Sequence, residues 1–481
     1  MEIKHDTSNN EIMPQYDVVR QNYTPEEKIL LDEIRENLVD LAMSSGENFK
    51  PDEDKLFNDI KSFLFNRLTG EYQNPNISKE YLDTLSRKML RDIIGYGKID
   101  SLIQDDELEE IMIIGINKPV FVYHRKYGMM KTNIEYADEQ ELLDLIDSMA
   151  RQINRRIDQE SPILDGRLPD GSRINATIPP VSADGPSLTI RKFKQDPLTI
   201  IDLINSRTLS LDLAAFFWLC FDGLGVKSAN AIISGGTSSG KTTTLNALSA
   251  FINPKERIIT IEDTLELQIP HEHVIRMETR PANTENKGEL TMNDLVKNSL
   301  RQRPDRIIVG EVRSNEAITL FTALNTGHSG FGTLHSNSAR ETITRLTTEP
   351  MSVPKIMIQA IDFIIMQTRI YTPSGVSYRR ISEVAEVVGI EEDMIQLNKI
   401  YEWNPEKDII ENVGIASQTL TQIANLSGKS LYELSKEIDN RKIILRHMIN
   451  HNIHTVNDVN TVLELYYDNP QKVLNRIILN R

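Results

Sequence analysis

Residues 235–242 have the composition of a phosphate-binding loop and match the pattern G-x4-G-K-[ST]. Glycines let successive backbone N–H groups converge on one anion, and the N-terminus of a following helix adds about half a positive charge. We predict that Lys241 contacts the β- and γ-phosphates of ATP and that the Thr242 hydroxyl binds Mg²⁺. The predicted nucleotide-binding residues are Gly235, Gly236, Thr237, Ser238, Ser239, Gly240, Lys241, Thr242 and Thr243.

The segments on either side of this loop have the required secondary structure. An apolar strand from Asn230 to Ser234 enters the loop, and a helix from Lys241 to about Ile252 leaves it, before Pro254. The alternative is a glycine-rich strand-to-helix turn without function, which these two flanks disfavour.

A second apolar strand, Arg306–Val309, is followed by Gly310 and Glu311. In a P-loop fold such a strand lies beside the P-loop strand, so its terminal carboxylate meets Mg²⁺ or the water shell of the ion. We therefore predict Glu311 as a catalytic and metal-binding residue, in the place of the usual aspartate. The alternative is a surface glutamate that follows a core strand.

Other polar residues follow or precede buried strands in the same region. Glu262, Asp263 and Glu266 come close together after a buried strand, and they indicate either a site near a cation or an acidic helix start. His328 and His335 are predicted at a helix C-terminus and a strand end. We interpret the two histidines as a sensor of nucleotide state near the γ-phosphate, with a purely structural role as the alternative.

Arginines in the preceding region could complete the site. In the predicted strands Ser172–Ile178 and Ser187–Phe193, strict alternation puts Arg173 and Arg191 on the polar face, and Arg167 is predicted on the loop just before. An arginine stabilises the charge that develops on the γ-phosphoryl oxygens as the bond breaks. The alternative is a set of solvent-exposed strand arginines. Arg313, just after Glu311, is expected to tie acids or subunits together.

Composition limits the class of protein. The chain has 481 residues, one cysteine and a net charge of −16, so neither a disulfide nor a cysteine-based metal site is expected. Nucleic acid is not an expected partner because phosphate binding needs clustered Lys and Arg. No apolar run reaches the ~18 residues that span a bilayer, and the N-terminus has no signal-peptide core. We expect a cytoplasmic protein that reaches a membrane only through a partner.

Periodicity and turn residues divide the chain into segments. The core reads as α/β, because short apolar strands alternate with helices and this favours a parallel sheet. The predicted segments are a disordered N-terminus (1–24), a helical arm (25–95), a mixed α+β domain (96–195), a linker at Asp196-Pro197 with helices (196–228), the ATPase core (229–400) and a helical C-terminal extension (401–481).

Four motifs together resemble the type II/type IV secretion-system ATPase superfamily. They are ISGGTSSGKTTTLNAL, TIEDTLEL, RPDRIIVGEVR and TGHSGFGTLHS, in the order of that family's Walker A, Asp, Walker B and His boxes. The resemblance covers roughly residues 95–390. The upstream run LDGRLPDGSRINATIPP…GPSLTIRKF is similar to the tight-adherence (Flp) pilus branch and to its archaeal pilus and archaellum relatives.

The resemblance implies a RecA-like P-loop core and an ATPase activity that needs Mg²⁺. It implies that Glu266 is the general base that positions the attacking water, and that His328 and His335 are the His-box histidines. It also implies a homohexameric ring in which basic residues of the N-terminal domain close the nucleotide site. The expected partner is a polytopic membrane platform protein, with the ring at the inner face of the cytoplasmic membrane.

The sequence leaves several possible functions open. Pilus extension, pilus retraction, secretion and archaellum rotation would all use the same core. A nucleic-acid-translocating RecA-like motor is the alternative from another class, and a nucleotide-binding regulator without turnover is a third.

Overall fold

A computed structural model describes residues 13–18, 24–31, 33–34, 53–70, 78–193, 196–282, 287–371 and 377–479. The chain divides into two compact units, Met1–Phe193 and Lys194–Arg481. Residues 194 and 195, beside the predicted Asp196-Pro197 linker, lie outside the described residues.

The first unit begins with the predicted helical arm. Residues 25–31 and 33–34 are helical, and two further helices follow, α1 (Glu53–Gly70) and α2 (Lys79–Ile94). Leu30, Ile34 and Leu64 are buried in one cluster with apolar residues of α2, as helical periodicity predicts. Leu38 and Leu41, which continue the helical spacing of Leu30 and Ile34 in the sequence, lie outside the described residues.

A seven-stranded sheet forms the rest of this unit, with strand order β1-β4-β3-β2-β7-β6-β5. Helix α4 packs against it through apolar residues such as Ile146, in one core with Ile111 and Ile190. Its elements are β1 (Gln15–Tyr16), α3 (Asp100–Gln104), β2 (Leu108–Ile113), β3 (Pro119–His124), β4 (Gly128–Glu135), α4 (Glu139–Gln152), β5 (Ile163–Arg167), β6 (Arg173–Thr177) and β7 (Ser187–Arg191).

Two features of this unit differ from the sequence-based expectation. We expected residues 1–24 to be disordered, whereas β1 pairs with β4 and buries Tyr16, whose hydroxyl contacts Asp105. We placed Arg167 on a loop, whereas it ends strand β5. A side chain at Gly166 of the same strand would collide with Ile153, so glycine permits the close approach of this strand.

The second unit contains a nine-stranded sheet with strand order β10-β9-β11-β12-β8-β13-β14-β15-β16. The pairs from β10 to β13 are parallel, which confirms the predicted parallel core, and β14–β16 extend it in antiparallel fashion. The strands are β8 (Ala231–Gly235), β9 (Ile258–Glu262), β10 (Val274–Glu278), β11 (Arg306–Val309), β12 (Ser329–Leu334), β13 (Phe363–Tyr371), β14 (Ser377–Glu391), β15 (Met394–Asn404) and β16 (Ile409–Asn412).

Helices cover this second sheet, and α6 is buried along nearly its whole length. The helices are α5 (Ile200–Asn205), α6 (Leu211–Asp222), α7 (Lys241–Ser249), α8 (Met292–Ser299), α9 (Glu316–Asn325), α10 (Ala339–Thr347), α11 (Lys355–Ile358), α12 (Gln418–Ser427), α13 (Leu431–Asn450), α14 (Val456–Asp468) and α15 (Pro470–Leu479). None of the helices in the described part of the chain combines the length and apolar character that crossing a membrane requires.

The C-terminal region is part of this second unit. Residues 401–481, which we predicted as helical, begin instead with the end of β15 and with β16. The helices that follow pack on the same core: Trp218 of α6 donates a hydrogen bond to the Tyr467 hydroxyl (2.9 Å), which in turn donates to the carbonyl of Phe251 (2.7 Å). Arg441 of α13 is buried against Asp222 of α6. These helices are therefore structural members of the P-loop unit.

Replacement of Asp222 by alanine leaves the Arg441 guanidinium buried without this carboxylate. Removing one member of a buried ion pair costs about 3–5 kcal/mol. We expect thermal unfolding of the full chain to begin several degrees lower than in the wild type.

Asp212→Ala is the matched control, because Asp212 pairs with Lys442 between the same two helices but is 66% exposed. An exposed pair contributes at most about 1 kcal/mol. Equal shifts in melting temperature for the two variants would contradict the idea that the buried pair holds α13 on α6.

Candidate nucleotide site

The predicted phosphate-binding loop joins β8 to α7 at the carboxyl edge of the parallel strands. Gly240 immediately precedes α7 and has φ +94°, in the left-handed region that glycine favours. Thr242 and Thr243 occupy the first turn of the helix, where backbone N–H groups have no helical partner. The loop thus presents main-chain donors and a helix N-terminus together, as the sequence predicted.

Two glycines of this loop leave no room for a side chain. A Cβ atom on Gly235 would lie 2.1 Å from the Gln367 carbonyl oxygen, and one on Gly240 would lie 2.9 Å from Cδ of Arg379. Gly236 has nothing within 4 Å of the same position. Gly235 is therefore required by its close contact with a backbone carbonyl group and Gly240 by its left-handed φ, whereas no described protein atom crowds Gly236.

Lys241 is nearly buried and points back along the loop. Its Nζ atom donates to the carbonyl oxygens of Gly235 (3.1 Å) and Gly236 (2.9 Å) and lies 3.4 Å from Nδ1 of His335. Burial lowers the pKa of Lys241, and the nearby Glu311 carboxylate opposes that shift. The ammonium group is thus held at the centre of the loop.

Glu311 and His335 meet at this edge because β11 and β12 are parallel neighbours. Oε1 of Glu311 lies 3.2 Å from Nε2 of His335. Burial lowers the pKa of His335, and the adjacent Lys241 lowers it further, so the imidazole is neutral at neutral pH. The consistent tautomer carries its proton on Nε2, donates to Glu311 and accepts from Lys241 at Nδ1.

Arg313 joins two of the acids of the site. Its guanidinium contacts the Glu311 carboxylate and lies 3.4 Å from Oδ2 of Asp263. The Glu311 carboxylate is the first cause of the raised pKa of Arg313. This matches the expectation that Arg313 ties acids together.

Glu262, at the end of β9, holds the segment that carries the predicted general base. Its Oε2 atom accepts hydrogen bonds from the backbone N–H groups of Glu266 (2.7 Å) and Leu267 (2.9 Å). The side chain is buried, which raises its pKa, and Oε1 has no hydrogen-bond partner within the described residues. A Cβ atom on Gly310 would lie 3.0 Å from Cγ of Glu262, so glycine before Glu311 allows this contact.

His328 is not brought to the site. It precedes β12, and its Nδ1 atom lies 3.2 Å from the Ala323 carbonyl oxygen. His335 follows β12 at the other end, and a six-residue strand spans roughly 20 Å. The expectation that both histidines lie near the γ-phosphate is therefore wrong for His328, because β12 separates it from His335 across the sheet.

The predicted arginines of the first unit form a row across its sheet. Arg167 of β5 is opposite Arg173 of β6, and Arg173 is opposite Arg191 of β7. The next residue in the row is Glu110 of β2. Strand alternation therefore did place Arg173 and Arg191 on one face, and β5 adds Arg167 to that face.

The residues around the loop fit a nucleotide with Mg²⁺. Besides Lys241 and the helix N-terminus, the hydroxyl of Ser239 is buried with no hydrogen-bond partner in the described structure. Thr242 and Glu311 supply hard oxygen ligands, and Mg²⁺ usually completes its shell with phosphate oxygens and water. Within the described residues no group of three or more His, Cys, Asp or Glu forms a metal cluster, so these two ligands would share the ion with phosphate.

Three residues near the loop were missed or given no role in the sequence-based analysis. Glu262 was seen only as one of three clustered acids, and its position at the end of an apolar strand was the available signal. Gln367 and Arg379, from β13 and β14, were not considered because those strands were not predicted.

The chain has sequence relatives among known proteins. The sequence model of the family described as type II/IV secretion system protein matches residues 96–402. An uncharacterized protein of Methanocaldococcus jannaschii is 32% identical, over 97% of this chain and 86% of its own length. A putative conjugal transfer protein of Mycobacterium tuberculosis is 34% identical, over 54% of this chain and 74% of its own length.

Among solved structures, the ATPase DotB of Legionella pneumophila is 22% identical, with a TM-score of 0.42. That similarity covers 61% of this chain and 80% of the other.

Gly240→Ala should weaken the binding of Mg-ATP, while Gly414→Ala, at another left-handed position (φ +82°) after β16, should not. An alanine at a left-handed position costs roughly 1–2 kcal/mol, which corresponds to about tenfold in affinity. The measurement is isothermal titration calorimetry of the two variants and the wild type. Equal affinities for both variants would show that the packing at Gly240 does not shape the loop.

Proposed function

Because the chain belongs to the type II/IV secretion system protein family, we propose that it hydrolyses ATP to ADP and phosphate to drive a membrane-associated pilus, secretion or archaellum machine. The observation that carries the proposal is the contact chain Lys241–His335–Glu311 at the carboxyl edge of one sheet. It joins a phosphate-binding cation to an acid suited to Mg²⁺.

Each residue of this edge has a distinct task in the proposed reaction. Lys241 and the loop N–H groups would bind the β- and γ-phosphates, and Thr242 and Glu311 would hold Mg²⁺, which would neutralise charge on the phosphoryl oxygens. Glu266 orients the attacking water, on a segment fixed by Glu262. His335, neutral between Lys241 and Glu311, exchanges hydrogen-bond partners when the γ-phosphate is present or lost.

The arginine row of the first unit closes the site in this proposal. Guanidinium groups in register on neighbouring strands offer several N–H donors in one place, which suits an anion such as the γ-phosphate. Contacts between this row and the nucleotide would pull the first unit towards the loop, from the same chain or a neighbouring one. Loss of the γ-phosphate would release it, a hinge-type motion with the region of Asp196-Pro197 as the hinge.

The assembly in which this motion does work is proposed as a homohexamer at the cytoplasmic face of a membrane. A polytopic platform protein would receive the motion. The same core could drive pilus extension, pilus retraction, secretion or archaellum rotation. The proposal therefore covers all four machines.

Lys241→Ala should abolish ATP turnover. The ammonium group is the cation at the centre of the loop, and no other side chain in the described structure occupies that position. Phosphate release from the purified chain is the measurement. Near-normal hydrolysis by this variant would contradict the proposal. If DNA at physiological salt stimulated ATP hydrolysis by the wild type, a nucleic-acid motor would be favoured instead.

Arg191→Ala should slow hydrolysis far more than it weakens ATP binding. Where an arginine stabilises the transition state of phosphoryl transfer, its loss costs on the order of 10³-fold or more in rate. Arg156→Ala is the control, because Arg156 belongs to the same unit and is 79% exposed beside Asp158. Equal turnover by the two variants would remove the arginine row from the mechanism.

A further inference from the structure

The strands β13 and β14 flank the phosphate-binding loop on the side away from Glu311. In the second sheet β8 lies between β12 and β13, so Glu311 and His335 are on one side of the loop and β13 is on the other. Gln367 of β13 is in register with Gly235, the first residue of the loop. Nothing in the family motifs of the sequence assigns a role to this second side.

Arg379 of β14 reaches over the loop from this side. Its Nε atom donates a hydrogen bond to the carbonyl oxygen of Ser238 (3.2 Å). Its Cδ atom lies 2.9 Å from the position that a Cβ atom on Gly240 would occupy. Within the described residues Arg379 forms this one hydrogen bond, which uses one of the five N–H donors of its guanidinium group.

Gln367 lies beside Arg379 at the same glycine. Its side chain is 1% exposed, and Nε2 lies 3.0 Å from the Cβ position of Gly240. Its Oε1 atom has no hydrogen-bond partner in the described part of the chain, which is costly for a buried amide. An unpaired carbonyl oxygen needs a donor and does not bond to a phosphate oxygen, so Gln367 offers the loop only its Nε2 donor, which lies beside Gly240.

The charges on this side favour an anion. Arg379 of β14 brings a guanidinium charge close to Gly240. The N-terminus of α7 adds a partial positive charge at Gly240, where no side chain caps the helix. A phosphate group offsets this concentration of positive charge, whereas an uncharged purine base does not.

Arg380, the next residue along β14, has a different role. It is 5% exposed and forms an ion pair with Asp408, with Nε 2.7 Å from Oδ1. Its charge is therefore already neutralised inside the fold. Only one of the two adjacent arginines is available to a ligand at the loop.

We propose that Arg379 is a further nucleotide-binding residue, which donates to the phosphate chain of ATP from the side of the loop opposite Glu311. It belongs to the same unit as the loop, so it acts on each site independently of the arginine row of the first unit. Gln367 supports the loop beside it. The inference rests on the proposed function, because it assumes that the loop binds a nucleoside triphosphate.

The test uses calorimetric titration of the full chain with two probes, Mg-ATP and inorganic tripolyphosphate with Mg²⁺. Arg379→Gln removes the charge but keeps an N–H donor for the Ser238 carbonyl. We expect this variant to lower the affinity for both probes by about tenfold to a hundredfold, because a charge-assisted hydrogen bond is lost. Arg379→Lys should recover part of the affinity.

Arg446→Ala is the control, because Arg446 is exposed on α13 of the same unit, and its affinities should equal those of the wild type. Weakening of ATP alone, with tripolyphosphate unchanged, would identify a contact with the base or ribose and overturn the proposal. If Arg379→Gln bound both probes with wild-type affinity, Arg379 would only support the loop. That result would also overturn the proposal. Failure of the wild type to bind Mg-ATP would instead contradict the proposed function.

Discussion

The site depends on one arrangement: a lysine ammonium group that is nearly buried within a glycine-rich loop and faces a carboxylate across a neutral histidine. Lys241 is held by two loop carbonyl groups and by His335, and His335 contacts Glu311. A buried cation is costly unless polar partners surround it. The loop, the strand end of β12 and the residue after β11 are therefore fixed relative to one another by the need to solvate this one charge.

Small residues occur where strands of this sheet end, because other atoms approach the backbone closely there. Gly310 permits the close contact with Glu262, and Gly235 permits the contact with the Gln367 carbonyl. Glu262 then fixes the backbone of Glu266 through two hydrogen bonds. The acidic segment after β9 is thus held by a buried carboxylate, so the geometry of the proposed general base depends on a residue that does no chemistry itself.

The C-terminal helices stabilise this scaffold. Their contacts reach α6 and the end of the helix that follows the loop, through Tyr467 and the Phe251 carbonyl. The sequence predicted a helical C-terminal extension, and in the described residues four helices follow β16 there. It could not predict that the charged Arg441 would be buried, because burial of a charge depends on the partner that tertiary structure supplies, here Asp222.

The sequence by itself determined the phosphate-binding loop and the acid Glu311, because spacing and flanking strands are local properties of the chain. It also determined the alternation that places Arg173 and Arg191 on one face. Only the tertiary structure separated His328 from His335, since strand direction decides which edge of a sheet each end reaches. The tertiary structure alone likewise brought Arg379 to the loop, because that contact joins residues far apart in sequence through the pairing of β8, β13 and β14.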